Sequence, residues 1–394
     1  MCSLIPSVLF RVGGKTSGTR GSSNKLLLVW EGLLCRITRG HLARAALSIG
    51  IAVALLCTLG CGVRSTPQNN YLYVGQVFVP PVSRVRIGSV AQFRVETDGT
   101  LTALNPSTTV QSVIPFFAAA VAPSRQHLFI LNGPISEFGI GSDGTLTPNA
   151  APGATGSSVA FTPNGEVAVI ANPTSATLGS YTLSSSGVLT PVNSVATGSV
   201  PQYVVVDGWG KFAYVTSWKD HTVSEYTISA SGILAPNGSI PTGGDNPRAL
   251  VVSPKGFLYC ANVTSRSVTE FSIDASTGAL TLVNNYPIWV EPQPGPLWIS
   301  FDPTGTYAYV GNLAEIAQFM VDGPTGALTR NGTMSLPNGA LGGGVDSSGR
   351  FVFTAGVDGT VSQFIISNKG KLIPNGWLSL GENMVGETLA FAQR

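Results

Sequence analysis

Charge is scarce in this chain. Only 11% of its 394 residues are Asp, Glu, Lys or Arg, against about 25% in ordinary soluble domains. There are three histidines and five cysteines. Cys2, Cys35, Cys57 and Cys61 all precede residue 62, so Cys260 stands alone in the rest of the chain and no internal disulfide can form there. Its mid-strand setting, Phe257-Leu-Tyr-Cys-Ala-Asn262, reads as a buried, inert thiol rather than a nucleophile. No helical pattern with capping residues runs between Tyr71 and Arg394, which points to an all-β class. No Gly-rich phosphate loop is present; Gly342-Gly-Gly344 reads as close backbone packing. No cofactor motif is found.

The bases are unevenly spread. Residues 1–61 hold seven of them and one acid, Glu31, which leaves 15 bases and 19 acids in the remainder. A body with a net charge of −4 has no electrostatic footprint for nucleic acid. The basic segment instead precedes an uncharged run, Ala45 to Gly60. That run is short for a spanning helix, which needs about 20 apolar residues, and it suits a secretory signal core. It ends in Thr58-Leu59-Gly60-Cys61, which resembles a bacterial lipobox with Thr58 in place of the usual Leu. The resemblance implies a lipidated N-terminal Cys61 and membrane attachment through the lipid alone. A plain secretory signal or an uncleaved anchor is the alternative. Residues 1–44 are too long for an ordinary n-region and read as a disordered or mis-started extension, and 62–70 as a linker.

What the chain has in abundance is turn chemistry, with 47 glycines and 26 prolines. Seven glycines keep time: Gly99, Gly144, Gly187, Gly232, Gly278, Gly326 and Gly370, at gaps of 45, 43, 45, 46, 48 and 44. Each is followed two residues on by a leucine and preceded by an aromatic, from Phe93 to Phe364. Such a period marks a repeat architecture. Each unit reads as four strands, here lettered A to D from the inside outward. The best-defined unit runs Ala249–Ser253, Phe257–Ala261, Ser267–Ile273 and Ala279–Val283. The first unit begins at Tyr71 in strand B and lacks strand A, while Glu387–Ala392 aligns with strand A after the last unit. The expected fold over 71–394 is therefore a seven-bladed β-propeller of four-stranded blades. The C-terminal strand completes the first blade, which removes an open edge.

The units resemble those of YVTN-repeat and lactonase-type (6-phosphogluconolactonase-like) propellers, on the strength of Thr162-Pro-Asn-Gly165, Ser253-Pro-Lys-Gly256 with Tyr259 and Asn262, Asp302-Pro-Thr-Gly305 with Tyr309-Val-Gly-Asn312, and Gly278-Ala-Leu-Thr281. The likeness spans 71–394. In such lactonases it implies a His after the Pro that opens strand A, a Glu beside the Asn that ends strand B, and nearby arginines. Pro115-Phe116, Ser157-Ser158, Pro201-Gln202, Pro247-Arg248 and Pro296-Leu297 carry no such His, and Asn172, Asn262 and Asn312 no such Glu. Arg248 alone matches the basic element.

Loops on a rigid scaffold carry binding, and in a propeller the B-to-C and D-to-A loops share one face. On it lie the overgrown segments Val77–Arg86, with Arg84 and Arg86, and Tyr286–Trp298, with Trp289 and Trp298. The same face carries Trp218-Lys219-Asp220-His221, an aromatic, a cation, a carboxylate and an imidazole that together suit a polar ligand. The candidate ligand-binding set is Arg248, Trp218, Lys219, His221, Trp298, Arg84 and Arg86. Arg248, His221 and Asp220 are the weak catalytic candidates. Read as bland structure, the loop is a solvated tip, Trp289 and Trp298 are packing, and His127 is a strand residue. With His127 and His221 in different repeat phases, no metal site is expected. Three functions compete: an envelope propeller that binds a protein, polysaccharide or small metabolite; a divergent lactone hydrolase; and a scaffold. A monomer is expected.

Overall fold

A computed structural model of the chain describes residues 26–30, 33–37, 69–79, 87–112, 118–131, 133–150, 153–289 and 294–393. They fall in two units, 1–67 and 68–394. In the first, Leu26–Trp30 pairs antiparallel with Leu33–Ile37. Cys61 and the apolar run before it lie outside the described residues, as do Arg84 and Arg86.

The second unit is seven antiparallel sheets, and no helix occurs among the described residues. Blade five shows the plan: Pro247–Val252, Phe257–Asn262, Ser267–Ile273 and Leu280–Pro287, paired in that order. In blade two the outermost place is shared by two short segments, Leu146–Pro148 and Thr155–Gly156, both paired with Gly133–Ile140. Neighbouring innermost strands touch all the way round the axis. The ring closes as expected: Met384–Gln393 is the innermost strand of the sheet that continues with Asn70–Phe78, Ile87–Val95 and Leu101–Ser112.

The repeated residues explain how blade meets blade. Each timing glycine has φ between +70° and +86°, a region that Gly enters without a Cβ penalty. Each also lies under the start of strand B in the preceding blade. A Cβ at Gly144 would come within 2.2 Å of Tyr71, one at Gly278 within 2.2 Å of Phe212, and one at Gly370 within 2.1 Å of Tyr307. Two residues on, the tyrosines of strand B donate to the carbonyl of the same glycine: Tyr73 to Gly144, Tyr214 to Gly278, Tyr259 to Gly326 and Tyr309 to Gly370. A polar residue of strand C completes the joint by accepting the N–H of the next blade's leucine. Gln92 accepts from Leu146, Glu225 from Leu280 and Gln318 from Leu372. In this way each blade buries its neighbour's turn, and Gln92, Glu225 and Gln318 are bonded in place.

His127 belongs to this joint. It is buried, its Nδ1 lies 2.7 Å from Glu137 and its Nε2 3.0 Å from the Ser185 carbonyl, beneath Gly187 of blade three. Cys260 is a buried free thiol whose pKa burial pushes far up, so no reactive thiolate forms there.

Candidate axial site

A cavity of about 530 Å³ opens on the axis at the face of the B-to-C and D-to-A loops, and residues at the start of all seven innermost strands line it. Three of those strands depart from regular pairing. In blade four the register shifts between Pro201 and Val204, in blade five between Pro247 and Leu250. In blade one Gly75 pairs with Thr388 and Gln76 with Gly386, so the register steps over Glu387. Each irregularity is a β-bulge, which re-aims a side chain. The residues at the bulges are Gln202, Arg248 and Glu387, and all three line the cavity. Blades four and five face blade one across the ring, so the guanidinium and the carboxylate approach from opposite walls.

Blade six contributes Trp298 from a strand of regular register. Its indole is wedged between two glycine backbones: a Cβ at Gly311 would lie 2.0 Å from the ring, and one at Gly343 2.4 Å. The Gly342-Gly-Gly344 run is thus the close packing that the sequence suggested, since Gly342 meets the Glu387 carbonyl and Gly344 meets Phe391 in the same way. Trp298 is 6% exposed, lines the cavity, and its Nε1 is buried without a hydrogen-bond partner. An unpaired buried donor costs about 1–3 kcal/mol; this one is closed off by the Gly311 backbone, where a Cβ would lie 2.3 Å from Nε1. Arg248 is half-buried and makes no ion pair or hydrogen bond among the described residues. Trp218, from the blade-four loop, completes the rim.

The other loop residues are committed to the backbone. Asp220 accepts the Ser199 N–H at 2.6 Å. His221 holds φ +54°, the left-handed position that Ala176 and Arg266 fill in the equivalent turns of blades three and five. Its Nδ1 accepts the Asn246 N–H at 2.9 Å and its carbonyl accepts the Thr242 N–H, tying the B-to-C loop to the D-to-A loop. Lys219 is exposed. Arg248, Trp218 and Trp298 therefore meet in one cavity, while Lys219, Asp220 and His221 do not line it. Trp289 is buried among Ile288, Val268 and Phe319, and its Nε1 donates to Glu315. Asn172 and Asn312 each accept two N–H groups of the following turn, so the ends of strand B serve loop geometry.

Glu387 lines the cavity but is not among the strand-opening residues that the sequence singles out. Its signal was its phase: Glu387 begins the segment that aligns with strand A at the end of the sequence, although the strand itself runs Met384–Gln393. The cavity thus has a carboxylate, delivered by strand A of blade one rather than by the end of a strand B. Among the described residues no group of three or more His, Cys, Asp or Glu could hold a metal ion.

The model of the family described as lactonase, 7-bladed β-propeller, matches residues 159–293. No curated relative matches the sequence. Solved structures share the fold at low identity. A putative 6-phosphogluconolactonase from Bacteroides uniformis is 18% identical, with a TM-score of 0.69 over 82% of this chain and 99% of that one. The periplasmic gluconolactonase of Pseudomonas aeruginosa is 17% identical, with the same TM-score and coverage. A Lactobacillus plantarum protein is 20% identical, with a TM-score of 0.67 over 82% and 99%. The fold is therefore that of the lactonase-type seven-bladed propellers.

Proposed function

We propose that this protein is an exported, lipid-tethered propeller that binds a small, oxygen-rich anionic metabolite in its axial cavity. The observation that carries the reading is the half-buried Arg248, placed at a bulge of an innermost strand, lining the cavity with Trp298 and without an ion pair or hydrogen bond among the described residues. A half-buried guanidinium suits a carboxylate or a polarised carbonyl. The cavity lies within the 300–1,000 Å³ range of small-molecule sites. The periplasmic description of one neighbour and the Cys61 motif support export.

Lactone hydrolysis is the second reading, and Glu387 is what favours it. Its carboxylate could take a proton from water as that water adds to the lactone carbonyl carbon. Arg248 would face the oxygen on which charge develops. The ring C–O bond then breaks, and the ring oxygen leaves with the proton, giving a hydroxy acid.

Calorimetry with gluconate and turnover assays on a panel of lactones separate the readings. Arg248→Ala removes a charge-assisted contact of about 1.5–3 kcal/mol, so affinity should fall by about 10- to 100-fold. Trp298→Phe shrinks the aromatic wall beside Arg248, and should weaken binding by several-fold. Gluconate affinity that neither variant changes would refute the site. Lactone turnover that Glu387→Gln abolishes would establish the hydrolase reading over the binding one.

A further inference from the structure

The opposite end of the axis has its own depression, about 520 Å³, among the A-to-B turns of blades three, four and five. These turns belong to a rosette in which four glycines pack on the preceding turn: Gly165 on Pro123, Gly210 on Pro163, Gly305 on Pro254 and Gly349 on Pro303. Blade four breaks the pattern. Blades two, three, five, six and seven have Ser124, Asn164, Lys255, Thr304 and Ser348 at the tip, and blade four has Trp209 between two glycines. Trp209 is 53% exposed and lines the depression with Lys255, and Lys211 stands exposed beside it. Neither lysine has an ion pair among the described residues.

The chain also enters the propeller on this face. Asn70, the first residue of strand B in blade one, pairs with Gln393 and sits between turns of the two flanking blades. Its side chain reaches Asp346 and Ser347 of blade seven, and Arg125 of blade two donates to the Gln393 carbonyl. Cys61 precedes Asn70 by nine residues, at most about 30 Å of extended chain. Blade one and blade four lie across the axis from each other.

We propose that the turn face docks on the bilayer surface, with Trp209 entering the headgroup region. This inference rests on the reading of Cys61 as a lipid-bearing N-terminus. A single tether leaves a propeller free to tilt. A second contact on the far side of the axis holds the turn face down and leaves the axial cavity open on the other face. Indoles favour the membrane–water boundary, and Lys211 and Lys255 suit phosphate headgroups. The outer C-to-D turns carry Asp98, Asp143, Asp274 and Asp322, each held by N–H groups of its own turn, so contact is confined to the inner rosette.

The test uses the full-length protein, expressed with its own N-terminal segment and recovered from membranes. It is reconstituted in phosphatidylethanolamine–phosphatidylglycerol vesicles with shallowly brominated acyl chains. Tryptophan fluorescence should be quenched, and Trp209→Phe should remove most of that quenching. Trp377→Phe, which deletes a 65% exposed indole on the outermost strand of blade seven, should leave it intact. A lipidated, vesicle-bound protein whose quenching survives Trp209→Phe overturns the docking and spares the tether. Protection of Trp209 by soluble polysaccharide without quenching by lipid overturns it in favour of a sugar platform. A mature protein lacking lipid at Cys61 and failing to sediment with vesicles ends both readings.

Discussion

Glu270 offers a quantitative test of the blade joint. It is fully buried on strand C of blade five, where its Oε2 accepts the Tyr286 hydroxyl at 2.5 Å and its Oε1 has no partner. The turn of blade six closes over it: a Cβ at Gly326 would lie 2.4 Å from Oε1. Burial pushes the Glu270 pKa up, opposed by the Tyr286 hydrogen bond. The unfolded chain releases this proton near its ordinary value of 4.5. Between that value and the higher folded one, the native state holds a proton that the unfolded state has lost, so stability falls as pH rises through this window. Blades one, six and seven place Gln92, Gln318 and Gln363 at the same point, so Glu270→Gln is a replacement the joint already accepts. Above the folded pKa it should remove the burden of a buried, half-satisfied carboxylate, about 1–3 kcal/mol. At pH below 4.5 the advantage should vanish, because the wild-type group is then neutral in both states. Urea unfolding of both proteins from about pH 4 to about pH 9, compared at each pH, cancels the titration of other groups. A variant that is less stable by the same amount at every pH would refute the reasoning.

Further outcomes follow from the same geometry. Gly256 and Gly278 both have positive φ, but a Cβ at Gly256 meets nothing while one at Gly278 strikes Phe212. Gly256→Ala should therefore cost about 1 kcal/mol of backbone strain, and Gly278→Ala about 1–3 kcal/mol more from overpacking, read by the urea midpoint. Tyr259→Phe should lose about 1 kcal/mol with the bond to Gly326. Truncation before Met384 strips the inner strand from Asn70–Phe78, and it should yield insoluble or non-cooperatively unfolding protein on size exclusion and denaturant titration. His221→Asn, which tolerates the left-handed backbone, should leave gluconate affinity within about twofold, because the imidazole bonds Asn246 rather than the cavity.

The fold was legible because its periodic residues each do one local job seven times over. A glycine at positive φ, an aromatic before it and a leucine after it recur because every blade meets the next through the same joint. The closure was legible too, since a missing strand A at Tyr71 and an extra one at Glu387 can only be satisfied by each other. The loop Trp218–His221 looked like a site because its residue types suit chemistry. Two of its side chains turned out to bond the backbone, a use that residue type alone does not reveal.

By itself, the sequence determined the class, the number of blades and the closing strand, because those depend on pattern along the chain. Only the tertiary structure decided the content of the cavity. Gln202, Arg248 and Glu387 reach it through bulges in three separate strands, and Trp298 through two glycine backbones that leave room for its ring. A bulge is a mismatch in pairing between two strands, and a slot for an indole is made by atoms from two blades. Neither has a signature at any one position.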